Sequence, residues 1–231
     1  MKQIQGGVTA AKGFEAAGTA ANIKYKDRMD MALIYSTAPC RAAGTFTTNV
    51  VKAAPVMWDK EIVESSPYAQ AVVVNAGIAN ACTGKQGMDY CREEAQTAAG
   101  LLQIPENAVL VGSTGVIGMQ LPMERIKEGI RKLVSAKGDS IEAGTTASKA
   151  IMTTDTVNKE IAVTVELGGR TVTIGGMCKG SGMIHPNMCT MLAYITTDAA
   201  ISKPLLQEAL SSSIIDSYNM ISVDGDTSTN D

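Results

Sequence analysis

The segment Ile161-Ala-Val-Thr-Val-Glu-Leu-Gly-Gly-Arg-Thr-Val-Thr-Ile174 decides the class of fold. Apolar side chains occupy every second position from 161 to 167, which is the two-residue period of a β-strand. Gly168-Gly169 then supplies a tight hairpin turn before the second strand begins. Because a hairpin pairs its two strands antiparallel, this segment argues against a purely parallel, doubly wound sheet.

Patterns on either side of this hairpin predict more strands and several helices. Short apolar runs predict buried strands at 31–35, 71–74, 108–111, 191–195 and 220–223. Helical composition, spacing and boundary signals predict helices at 89–103, 122–137, 142–152 and 203–217. A mixture of hairpins and helices favours a layered α/β architecture with antiparallel or mixed sheets.

The composition excludes several classes of protein. The chain has 231 residues, 45% hydrophobic and 19% charged, which is typical of a globular protein with a real core. A net charge of -3 argues against nucleic acid or an anionic membrane as the main partner. The start of the chain lacks the apolar core of a signal peptide, and no run is long enough for a membrane helix, so we expect a cytoplasmic protein.

The cysteines are expected to be free and mostly buried. There are five, an odd number, and none forms a C-x-x-C pair. Because the chain has one histidine, a Cys/His zinc site has little support, and we expect no metal.

Two polar segments are candidates for a site. Ser113-Thr-Gly115 follows a predicted strand, where backbone N–H groups could converge on an oxyanion, or the segment could be an ordinary turn. Thr153-Thr-Asp-Thr156 could bind a small polar substrate, or it could cap and turn the chain.

A third segment, Lys179-Gly-Ser-Gly-Met-Ile-His-Pro-Asn-Met-Cys-Thr190, carries the strongest candidate. Lys179 could bind a substrate carboxylate or be a solvated surface charge, and His185 is interpreted as structural. Thr190 could be a nucleophile if its own α-amine, with a pKa of about 7.7–8.0, acts as the base. That amine exists only if the peptide bond between Cys189 and Thr190 is cut.

Together these segments resemble the ornithine acetyltransferase family, which comprises self-processing glutamate N-acetyltransferases of arginine biosynthesis. The similar segments occur in the family's order from one end of the chain to the other: Gly6-Gly-Val-Thr-Ala-Ala-Lys-Gly-Phe14, Lys52-Ala-Ala-Pro-Val56, Asn75-Ala-Gly-Ile-Ala-Asn-Ala-Cys-Thr-Gly84, Ser113-Thr-Gly-Val-Ile-Gly118, Ala150-Ile-Met-Thr-Thr-Asp155, residues 179–192, and Ser222-Val-Asp-Gly-Asp-Thr-Ser-Thr-Asn-Asp231.

The resemblance implies a layered αββα-like fold of the N-terminal-nucleophile type and a self-cut between Cys189 and Thr190. Residues 1–189 would then be an alpha chain and residues 190–231 the start of a beta chain. Thr190 would be the nucleophile that carries the acetyl group. The family usually has alanine before the cut, and Cys189 is also small.

The resemblance also implies roles for other residues and for partners. Thr114 and Gly115 would form the oxyanion hole, and Thr153, Lys179 and Thr190 would contact substrate. Acetyl would pass from N-acetylornithine to glutamate without a cofactor, and acetyl-CoA as a second donor is left open. The expected assembly is a heterotetramer of two alpha and two beta chains. Family precursors are longer, so we expect this chain to be an N-terminal fragment.

Two other functions stay open at this stage. An aminopeptidase or amidase of the N-terminal-nucleophile type would use the same cut but hand the acyl group to water. A non-catalytic domain that binds a phosphate or nucleotide is the second alternative, although the chain has neither a P-loop nor a strand-linked G-x-G-x-x-G motif.

Overall fold

The computed structural model describes residues 1–185 and 191–226. The predicted cleavage site, Cys189 and Thr190, lies outside the described residues. Within them the chain forms two four-stranded sheets and five α-helices. The strands are β1 (Lys2–Ile4), β2 (Phe14–Thr19), β3 (Met31–Cys40), β4 (Ala69–Ile78), β5 (Val109–Val116), β6 (Lys159–Leu167), β7 (Arg170–Lys179) and β8 (Leu192–Thr197). The helices are α1 (Ala54–Ser65), α2 (Gln86–Leu102), α3 (Met123–Ala136), α4 (Ile141–Ala150) and α5 (Lys203–Ile215).

The first sheet has the order β1-β6-β7-β8 and is antiparallel throughout. Its centre is the predicted hairpin, in which Leu167 pairs with Arg170 across the turn. Gly168 and Gly169 both have positive φ angles, of 57° and 76°, which glycine adopts without a steric penalty. The hairpin prediction is therefore confirmed.

The second sheet has the order β2-β3-β4-β5 and is mixed. β2, β3 and β4 pair antiparallel, whereas β5 runs parallel to β4 after a crossover through α2. A parallel pair needs such a crossover, because its strands must start at the same edge. The prediction of a layered α/β fold with antiparallel or mixed sheets is confirmed.

Strand β3 lies between two hydrophobic cores. Its alternate residues Ala32 and Ile34 pack with Met177 of the first sheet and with α4. Met31 and Leu33 face the other way, toward α2 and α3. This alternation follows from the two-residue period of a strand, and it makes the second sheet the middle layer between helices α2 and α3 on one side and the first sheet on the other.

Several boundaries and elements differ from the sequence predictions. The predicted last strand at 220–223 is wrong, since the structure has a short 3₁₀ turn at Tyr218–Met220 followed by exposed residues without a strand partner. Strands β1 and β2 and helix α1 were not predicted. β1 has three residues, and α1 has only a weak apolar face, so neither gives a clear periodic signal.

The described cysteines are free, but the expectation that most are buried is wrong. Cys91 is buried, Cys40 and Cys178 are half-buried, and Cys82 is exposed. In the part of the chain that the structure describes, no group of three or more His, Cys, Asp or Glu residues could hold a metal ion. None of the helices among the described residues is long and apolar enough to cross a bilayer.

Candidate active site

Thr114 and Gly115 lie in strand β5, not in a turn after it. The strand continues to Val116, because the backbone pairing with β4 persists through Gly77 and Ile78. Burial changes sharply within this stretch: Thr114 is 4% exposed, whereas Gly115 is exposed. The end of β5 thus carries backbone from the core to the surface at the predicted oxyanion site.

Gly115 approaches the neighbouring strand too closely for any side chain. A Cβ atom there would lie 2.3 Å from the carbonyl carbon of Gly77, and the φ angle of Gly115 is +133°. Gly77 itself has a φ of +107°. Two glycines therefore keep this strand end free of side chains, which is what an N–H donor to a developing oxyanion requires.

Lys179 brings the first sheet to this point. The sequence placed it in a loop, but it is the last residue of β7 and is 3% exposed. Its Nζ donates a hydrogen bond of 3.0 Å to Oγ1 of Thr114. Because an ammonium group is costly to bury without polar partners, this contact fixes a positive charge beside the oxyanion strand. An anionic substrate group would be stabilised there.

The segment around Thr153 is joined to the same corner through Asp155. The Asp155 carboxylate accepts hydrogen bonds from the backbone N–H groups of Thr153, at 3.3 Å, and of Gly180, at 2.9 Å. It also pairs with Lys159. Burial acts to raise the pKa of Asp155, but Lys159 and the two N–H groups outweigh burial and hold the pKa below its usual value.

Two further contacts hold the Thr153 segment. Nη2 of Arg28 donates to the carbonyl oxygens of Met152 and Thr153, at 2.9 and 2.7 Å. The hydroxyls of Thr154 and Ser181 lie 2.7 Å apart. Arg28 therefore fixes the backbone of the segment through its carbonyl oxygens, while Thr154 connects the segment to Ser181 in the chain that follows Lys179.

The chain after Lys179 is held from its other side by Asp224. The carboxylate of Asp224 accepts hydrogen bonds from the N–H groups of Met183 and Ile184. These backbone bonds hold the pKa of Asp224 below its usual value. His185, interpreted from the sequence as structural, is exposed.

The structure thus brings together three of the predicted segments. Lys179 contacts Thr114 directly, Gly115 is the next residue of the same strand, and Thr153 is connected through Asp155. Leu192, two residues after the predicted cleavage position, is the register partner of Lys179. From the sequence, Asp155 is considered only as part of the 153–156 segment and Asp224 is given no role, although an acidic residue inside a turn-forming segment was the available signal for both.

Comparison with known proteins adds a family match. Residues 15–231 match the model of the ArgJ family. The arginine biosynthesis bifunctional protein ArgJ of Symbiobacterium thermophilum is 54% identical over 233 residues, which cover 100% of this chain and 57% of that relative. The chain spans about half the length of the curated relatives it matches.

Two solved structures resemble the chain closely. The arginine biosynthesis bifunctional protein of Bacillus halodurans is 43% identical with a TM-score of 0.77, covering 82% of this chain and 97% of that one. Ornithine acetyltransferase of Mycobacterium tuberculosis, solved with ornithine, is 39% identical with a TM-score of 0.74, covering 81% and 96%.

A more distant structure shares the fold alone. The L-aminopeptidase D-Ala-esterase/amidase of Ochrobactrum anthropi, described as a variant of the Ntn hydrolase fold, is 14% identical with a TM-score of 0.56. It covers 100% of this chain and 72% of that one. The Ntn-type fold expected from the sequence is thereby confirmed.

Proposed function

The chain belongs to the ArgJ family, and on that premise we propose that the full-length protein is an acyltransferase that moves acetyl from N-acetylornithine to glutamate. One observation carries the proposal. The Nζ atom of Lys179 lies 3.0 Å from Oγ1 of Thr114, both buried, so a fixed positive charge adjoins the oxyanion strand. Donor and acceptor amino acids share an α-carboxylate, which this charge would neutralise while the oxyanion forms nearby.

The proposed processing step uses Thr190 against its own chain. Oγ of Thr190 attacks the carbonyl carbon of Cys189, and the C–N bond between the two residues breaks. The product is an ester on the Thr190 hydroxyl and a free α-amine. Water then hydrolyses the ester, which leaves a carboxylate at Cys189 and restores the hydroxyl.

The proposed transfer step uses the same hydroxyl with its new base. The neutral α-amine of Thr190 accepts the hydroxyl proton while Oγ attacks the acetyl carbon of N-acetylornithine. The amide C–N bond breaks, the proton passes to the leaving nitrogen, and ornithine departs. The amine of glutamate then attacks the acetyl ester, so N-acetylglutamate leaves and the hydroxyl is restored. An N–H donor in the oxyanion hole is typically worth about 10²–10³ in rate.

Chain lengths in the family support cleavage of a longer precursor into separate chains. The solved chain from Bacillus halodurans is covered almost completely by about four fifths of this chain. The curated relative from Symbiobacterium thermophilum extends well beyond this chain, which covers 57% of it. Separate chains about half as long as the precursor are what cleavage between Cys189 and Thr190 would produce.

The test is to incubate the full-length protein with N-acetylornithine and glutamate and to quantify the products by mass spectrometry. We expect N-acetylglutamate and ornithine in equal amounts, without a metal or ATP. Acetate in place of N-acetylglutamate would contradict the transferase function and favour the amidase alternative. Adding acetyl-CoA with glutamate alone tests whether the same site accepts a second donor.

Lys179→Met in the same assay tests the observation that carries the proposal. We expect the KM for both amino acids to rise by at least about tenfold, since a charged hydrogen bond contributes about 1.5–3 kcal/mol. Lys60→Met is the matched control. Lys60 lies exposed on α1 and forms a surface ion pair with Glu64, so its loss should not affect substrate binding. Unchanged KM values for Lys179→Met would contradict the proposed contact between Lys179 and the substrate α-carboxylate.

A further inference from the structure

The carboxylate of Asp224 accepts hydrogen bonds from two successive backbone N–H groups in the chain that follows β7. Its Oδ2 accepts from the N–H of Met183 at 2.6 Å, and its Oδ1 accepts from the N–H of Ile184 at 2.8 Å. A backbone hydrogen bond joins the same two segments, since the N–H of Val223 donates to the carbonyl oxygen of Ile184 at 2.9 Å. Residues 183–184 and 223–224 are therefore joined by three hydrogen bonds, and both carboxylate oxygens of Asp224 accept one.

The backbone bound by Asp224 is held in an unfavourable conformation. Met183 has a φ of +59°, in the left-handed region that side chains other than glycine rarely adopt. Ile184, the next residue, is 1% exposed, so its side chain is anchored in the interior. A residue stays in such a conformation only where surrounding contacts impose it, and here Asp224 supplies the adjacent contacts.

The contact spans the predicted cleavage position. Met183 and Ile184 precede the Cys189–Thr190 bond, whereas Asp224 follows it by more than thirty residues of sequence. On the other side of the same short segment, Gly180 is held by Asp155. Carboxylates thus fix the chain that leads to the scissile bond at two points, and one of them belongs to the far side of the cut.

We propose that Asp224 is a positioning residue for self-cleavage, which holds residues 183–184 in place while the bond between Cys189 and Thr190 is cut. This inference rests on the proposed function. Intramolecular attack is fast only when the reacting groups are already oriented, so fixing the approach to the scissile carbonyl lowers the entropic cost of the step. Once the bond is cut, the transfer reaction no longer needs this orientation.

The experiment follows cleavage of newly made full-length protein. Wild type, Asp224→Asn and Asp216→Asn are synthesised in a cell-free reaction, synthesis is stopped, and the uncut fraction is measured by intact mass spectrometry over time. In Asp224→Asn an amide N–H₂ replaces one acceptor and faces a backbone N–H group, so we expect cleavage to slow by at least about tenfold. Asp216→Asn makes the same charge change at an exposed residue after α5 and should cleave like wild type.

A second measurement separates positioning from general damage. After prolonged incubation, the cut form of Asp224→Asn is purified, and its transfer rate and thermal midpoint are compared with those of wild type. We expect the transfer rate of the cut form to match wild type within about twofold, because transfer no longer uses the orientation of residues 183–184; the thermal midpoint records the stability that the lost hydrogen bonds contributed.

Four outcomes would overturn the inference: wild-type cleavage rates in Asp224→Asn, equal slowing in Asp216→Asn, a matching loss of transfer in the cut variant, or a wild-type protein that stays uncut. The last outcome would also overturn the proposed function, and it is recognised because it occurs in the wild type.

Discussion

Gly115 is the residue whose replacement the geometry opposes most directly. A Cβ atom at this position would lie 2.3 Å from the backbone of Gly77, a group that cannot move without disturbing β4. The positive φ angle adds a second penalty, because side chains other than glycine pay about 1–3 kcal/mol in rarely populated regions. Both effects act at the exposed end of β5, beside Thr114 and Lys179.

We therefore expect Gly115→Ala in the full-length protein to lower the free energy of unfolding and to slow N-acetylglutamate formation by at least about 10². Gly100→Ala is the matched control. Gly100 lies inside α2 with open space around it, so alanine there should be neutral or stabilise by about 0.5–1 kcal/mol. Urea unfolding and the product assay measure both effects. Wild-type stability and activity in Gly115→Ala would contradict the close approach.

The residue types of the site could be predicted from sequence, but their neighbours could not. Thr114, Gly115, Thr153 and Lys179 were named from motifs, and the structure brings them to one corner. The bond from Lys179 to Thr114 joins residues 65 positions apart in different sheets, so no local pattern encodes it. The same holds for Asp224, whose partners lie about forty residues upstream.

Helix α2 buries an acid that the proposed chemistry does not use. Glu94 is completely buried, and neither of its carboxylate oxygens has a hydrogen-bond partner among the described residues. Burial, followed by the charges of Asp59 and Glu93, raises the pKa of Glu94 to about 8. Burial also raises the pKa of Asp59, on α1, well above its usual value. Glu94 is thus protonated in the folded protein at neutral pH.

This protonation predicts the direction of a pH effect. The unfolded chain releases the Glu94 proton near the ordinary glutamate pKa of about 4.3, whereas the folded chain keeps it up to a pKa of about 8. The free energy of unfolding should therefore fall as pH rises from 5 to 8, by about 1.4 kcal/mol per pH unit at most from this group. Glu94→Gln cannot ionise, so its stability should fall less over that range. Equal slopes in urea titrations of the two proteins would show that Glu94 ionises normally.

Element types were predictable wherever periodicity was long. The helices α2 to α5 and the β6–β7 hairpin were found near their observed bounds, because apolar spacing and turn residues mark them. The end of β5 was predicted as a turn, since Gly112, Ser113 and Gly115 are poor strand formers. Pairing with β4 overrides that local preference through Val116.

At the scale of the whole molecule, both faces of the second sheet are covered, whereas the outer face of the first sheet is exposed. Helices α2 and α3 pack on the second sheet, and the first sheet packs on its other side. The outer face of the first sheet carries Ile161 and Ile195, each more than half exposed. An apolar sheet face of this kind normally packs against another layer.

The central claim is that one bond, between Cys189 and Thr190, is both the cleavage site and the origin of the nucleophile. Its most direct test is intact mass spectrometry of the full-length precursor, with wild type beside Thr190→Ala. The account predicts two chains for the wild type, the second beginning at Thr190, and a single uncut, inactive chain for Thr190→Ala. A wild-type protein that remains one chain and is fully active would contradict it.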